Sequence, residues 1–145
     1  MIWKLLSVWL LSVSLQTSGR VPSVEAVAPF VSVFDVKQEK VVKVLPLTDR
    51  LQKQVLEMLQ ASPELFAGSS LPADKSRLVL HIPFASPVQV HNPLYPAQIN
   101  EVYLFAEPRQ KPKALILFHA KRSILVVLNC NLEKFMEDND LNVRT

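Results

Sequence analysis

Three apolar runs, residues 99–106, 113–119 and 124–129, are separated only by the short polar stretches 107–112 and 120–123. Connections this short leave no room for a crossover helix, so neighbouring strands built from these runs must be antiparallel. Residues 114–118 and 124–128 do not alternate between apolar and polar. That pattern predicts that both faces of these strands are covered, or that one face meets a partner.

Upstream, residues 30–36 and 41–45 are rich in β-branched and aromatic side chains and flank the polar stretch 37–40, which predicts a hairpin. Thr48 or Asp49 offers a helix N-cap, and Leu51, Val55, Met58 and Leu59 fall on one helical face, predicting a helix over 49–61. Ser62, Pro63 and Gly68 have the order of cap, first turn and helix stop, predicting one further helical turn. Residues 77–82 read as a strand. Pro83, Pro87, Pro93 and Pro96 then predict an extended loop with at most a short edge strand at 88–90. Asn131 caps a predicted last helix over 132–138. The fold class expected is α+β: an antiparallel sheet of about five to six strands with one main helix packed on one face.

The N-terminus reads differently. Lys4 precedes an apolar run over 5–15 broken only by serines, and small polar residues follow. This is the order of a secretory signal peptide. At eleven residues the run falls well short of the ~20 that cross a bilayer. Residues 1–26 are therefore expected to be a signal peptide and short linker, with cleavage after Gly19 or Ala26, and residues 27–145 a single compact α+β domain. An uncleaved leader acting as a membrane anchor is the rival reading.

Removing residues 1–19 takes away one lysine and leaves 15 basic against 13 acidic residues, a net charge of +2. So small an excess gives no reason to expect nucleic acid as a partner. Cys130 is the only cysteine, so no intramolecular disulfide can staple the domain and the core must hold it together. No Asn-x-Ser/Thr acceptor is present. Both absences fit a bacterial exported protein, secreted or in the cell envelope, better than a eukaryotic secreted one. With two glycines in 145 residues, Gly19 and Gly68, a glycine-rich phosphate cradle is excluded.

Candidate chemistry is sparse. His81 and His119 each stand at or near a strand end, and would converge with Cys130 only if their strands were neighbours. Their spacing has no metal-ligand pattern, so they read first as structural residues. Glu101 and Glu107 belong at opposite ends of one strand, too far apart to share acid–base work. Arg109, Lys111 and Lys113 form one basic cluster and Lys121 with Arg122 another, at opposite ends of a meander, as solvated turn charges. Leu94 and Tyr95, in the proline-rich loop, either tuck back onto the sheet or offer a contact surface.

The function expected is a non-enzymatic binding or interaction domain without a cofactor, its partner an envelope protein or a second copy. A metal-binding protein or small enzyme using His81, His119 and Cys130 is the alternative.

Overall fold

The computed structural model describes residues 29–61, 63–67 and 76–143. The leader and linker predicted for 1–26 lie outside these residues.

The chain begins with the expected hairpin. β1 (Phe30–Asp35) pairs antiparallel with β2 (Lys40–Pro46), and a register shift interrupts the ladder between Val33 and Phe34. The Asp35 carboxylate closes the turn by accepting from the Gln38 backbone N–H at 2.9 Å and from the Gln38 side-chain amide at 3.1 Å. α1 (Asp49–Gln60) follows, with Thr48 as its N-cap, accepting from the Leu51 N–H at 3.2 Å. Its buried residues are Leu51, Val55, Met58 and Leu59, the four the sequence spacing selects. Each removes about 1.5–3 kcal/mol worth of apolar surface from water.

The further helical turn predicted after α1 does not form. Its described residues instead make a two-residue strand, β3 (Glu64–Leu65), paired antiparallel with β7 (Ser123–Val127), and the Phe66 N–H donates to the Leu125 carbonyl at 2.9 Å. The rim of β7 presents backbone groups in need of partners, and that demand outweighs a weak local helix signal.

β4 (Leu78–Val88) also departs from expectation, running on through Pro83 and Pro87 where a loop was predicted. Its last pair with β1 is Ser32–His81, so the prolines lie where β4 has lost its neighbour on that side. The pairing with β5 (Ile99–Ala106) shifts register between Pro83 and Val88. A one-sided, irregular strand tolerates residues that cannot donate to a ladder. β5, β6 (Lys113–Phe118) and β7 form the antiparallel meander predicted from the three apolar runs. α2 (Leu132–Asp138) closes the chain with Asn131 as its N-cap, as predicted.

Among the described residues the result is a seven-stranded antiparallel sheet in the order β2-β1-β4-β5-β6-β7-β3, one more strand than the upper end of the expected range, with two helices. One face carries the core. Val31, Val33, Leu80, Ile82, Val102, Leu104, Ala114, Ile116 and Val126 pack in one cluster with the buried residues of α1 and with Leu132, Phe135 and Met136 of α2. Asn139 links the helices, its side-chain amide donating to Gln54 Oε1 at 2.6 Å and to the Phe135 carbonyl at 2.8 Å. Leu94 and Tyr95 tuck back against this core: Leu94 is half-buried and Tyr95 is 3% exposed.

Candidate functional site: the helix-free face of the sheet

Side chains alternate between the two faces of a strand, so burying one set against the helices sends the other set outward. The register lines up the outward residues in rows across the strands. The middle row runs Val44, Ser32, His81, Tyr103, Leu115, Leu125. The row on one side of it runs Val41, Phe34, Val79, Phe105, Lys113, Val127. On the other side lie Phe30, Pro83, Glu101 and Leu117. The buried residues of α1 and α2 pack with the opposite, inward set, while within these rows Phe105 and Lys113 are themselves buried.

The face is mostly apolar, and it is most open over β1 and β2. Phe30 is 51% exposed, Phe34 37%, Val41 53% and Val44 55%. Next to them is a groove of about 590 Å³, with Phe34, Val41, Val79, His81, Tyr103 and Phe105 among its lining residues. That volume lies within the range of ordinary binding clefts.

Two polar pairs are set into this surface. His81 and Tyr103, directly opposite across the ladder, stack with ring centroids 4.5 Å apart and planes 15° from parallel. His81 Nε2 lies 2.7 Å from Glu101 Oε2, a diagonal contact that the sheet register creates. Burial, and then the charge of Glu101, push the Tyr103 phenol above its ordinary pKa, so its hydroxyl stays a donor further into the alkaline range. Farther along, Lys113 Nζ donates to Glu107 Oε1 at 2.9 Å and sits 5.0 Å from the centroid of the Phe66 ring. Lys113 is therefore not the solvated turn charge predicted, since its side chain is only 9% exposed. Arg109 and Lys111 are exposed as expected, and they lie at the opposite end of the meander from Lys121 and Arg122.

His81, His119 and Cys130 are not brought together. His81 is level with Tyr103 and Leu115, whereas His119 lies four residues beyond Leu115 and two strands away. Strand spacing and rise then place their backbones ~16 Å apart. Cys130 lines a separate cavity of about 320 Å³ between α1 and α2, with Met58 and Phe135. Burial raises its thiol pKa, the opposite of what activates a nucleophile. Among the described residues no group of three or more His, Cys, Asp or Glu is placed to hold a metal ion. Glu101 and Glu107 lie towards opposite ends of β5, as predicted, each engaged by a different base.

Fold and face together define an α+β domain with one two-sided sheet, helices on one side and an apolar surface on the other. No family model matches the chain, and neither a curated protein nor a solved structure does. No described helix is long and apolar enough to cross a membrane.

Proposed function

We propose that this chain is an exported, non-enzymatic binding domain of the cell envelope or extracellular space, and that the helix-free face of its sheet is the surface it offers to a protein partner. The observation that carries this reading is the cluster of Phe30, Phe34, Val41 and Val44, four large apolar side chains more than a third exposed on neighbouring strands. Contiguous apolar surface of this kind marks interaction sites. Export rests on the order of charged, apolar and small polar residues at the N-terminus. If the leader is retained, the same face is presented beside a membrane, and N-terminal sequencing of the exported protein separates the two cases.

Site-specific photo-crosslinking in cells expressing the full chain tests the proposal. A crosslinking residue in place of Val44 should give a discrete protein adduct, and one in place of Lys53, exposed on α1, should not. No adduct from Val44, or equal adducts from both positions, overturns it.

A further inference from the structure

We infer that the partner is a second copy of this chain, packed sheet face to sheet face about a twofold axis that runs across the strands along the row Val44, Ser32, His81, Tyr103. The inference rests on the binding reading above and names its occupant.

The first argument is the shape of the face. A twofold axis along the middle row carries the Phe30 row of one copy onto the Phe34 row of the other. Phe30, 51% exposed, then falls opposite Phe34 of the second copy, at the edge of the groove that Phe34 and Val41 line, and the reverse contact forms at the same time. The same pair of apolar side chains, Phe30 on Phe34, then meets on either side of the axis, as a self-complementary contact requires. Val44, on the axis row, meets its own counterpart.

Charge gives the second argument. Like charges facing each other across a self-association surface would oppose it. Under this axis Glu101 falls opposite Phe105 and Lys113 opposite Leu117, so neither meets its own kind. Both are already bonded within their own chain, Glu101 to His81 and Lys113 to Glu107. His81 faces its counterpart at the axis with its Glu101 bond intact.

Area gives the third. Leaving out the two-residue β3, six strands at ~4.8 Å spacing make a face roughly 24 Å wide, and strands of about six residues make it roughly 20 Å long. That is about 500 Å² in projection, below the ~800 Å² of accessible surface each partner contributes to a standard interface and in the range of a weaker one; Phe105 and Lys113, already buried within the chain, add little to it. Half-buried Leu115, Leu117 and Leu125 extend the contact beyond β1 and β2. Stacked sheets at ~10 Å separation would then form a sandwich whose second core these rows supply.

Sedimentation equilibrium of the protein as the expressing cell exports it provides the test. At about 10 µM, a concentration at which micromolar affinity populates a complex, the wild type should sediment at twice the mass of one chain. Val44→Asp, an exposed substitution that sets two carboxylates against each other on the axis, should sediment at the single-chain mass. Leu65→Asp, on the 60%-exposed residue of the sheet rim, should leave the dimer intact. A wild-type monomer overturns the inference, as does a dimer insensitive to Val44→Asp. In the monomer case, a Val44 crosslink to a protein of another mass leaves the binding face standing with a different partner. A monomer that gives no crosslink removes both readings.

Discussion

The Tyr95 hydroxyl donates to the Leu59 carbonyl oxygen at 2.8 Å, joining residues 36 positions apart. Leu59 lies in the last turn of α1, where carbonyls have no partner within the helix. The proline-rich loop therefore supplies a missing helix contact as well as burying a ring.

Tyr95→Phe should destabilise the domain by about 1–3 kcal/mol, because the ring is kept and a buried carbonyl is orphaned. Urea denaturation should show a lower midpoint with an unchanged slope. Burial raises the Tyr95 pKa well above its ordinary value of 10.0. The folded state then holds its proton where the unfolded chain loses it. This contribution to stability is complete below pH ~10 and falls away as pH rises towards the folded value. The Phe variant should lack that alkaline loss.

The Lys113–Glu107 pair should show strong coupling. Lys113→Met alone leaves a carboxylate with a 4%-exposed side chain unpaired, and should cost about 3–5 kcal/mol. Replacing both residues, Lys113→Met with Glu107→Leu, should recover most of that loss in a double-mutant cycle. Additive losses would show that the two side chains act independently.

Arg109→Gly should stabilise the protein. Pro108 and Arg109 occupy the centre of a turn closed by the Gln110 N–H on the Glu107 carbonyl at 3.4 Å, and Arg109 has φ 61°. A side chain in that region costs about 1–2 kcal/mol. Part of the gain is lost to glycine's greater freedom in the unfolded chain, leaving about 0.5–1 kcal/mol. Gln110→Gly, next in sequence, should instead lower the thermal midpoint.

Cys130 should react slowly. Burial holds its thiol pKa above that of a free cysteine. Alkylation by iodoacetamide at about pH 8 should be slower than for an unstructured cysteine peptide, and the difference should vanish in denaturant. A folded protein that reacts as fast as the peptide would show an accessible thiolate.

The parts of this fold legible in sequence are those fixed by near neighbours. Thr48 and Asn131 mark helix starts because a cap acts over three residues, and both helices begin there. The meander follows from short links between apolar runs. Glu64 and Leu65 were not legible as a strand, since only the distant rim of β7 makes them one. Pro83 and Pro87 oppose a central strand correctly, but no local signal reveals that β1 has already parted from β4. The same limit applies to the site. His81 and Glu101 are 20 residues apart in sequence and adjacent only through the register of β4 on β5. The outward apolar rows were half visible, because runs that fail to alternate must cover two faces, yet which face the helices would take depends on packing.

The two rims of the sheet bear on how copies can add. β2 carries Lys40 and Lys43, is kinked by a register shift and ends on Pro46, while β3 offers only two residues. Another strand cannot readily extend such a ladder sideways. Growth by lateral addition, the route to open-ended fibres, is discouraged at both ends. In the face-to-face pair inferred above, one added copy covers the apolar face, and rims of this kind give that pair no sideways route to a longer assembly.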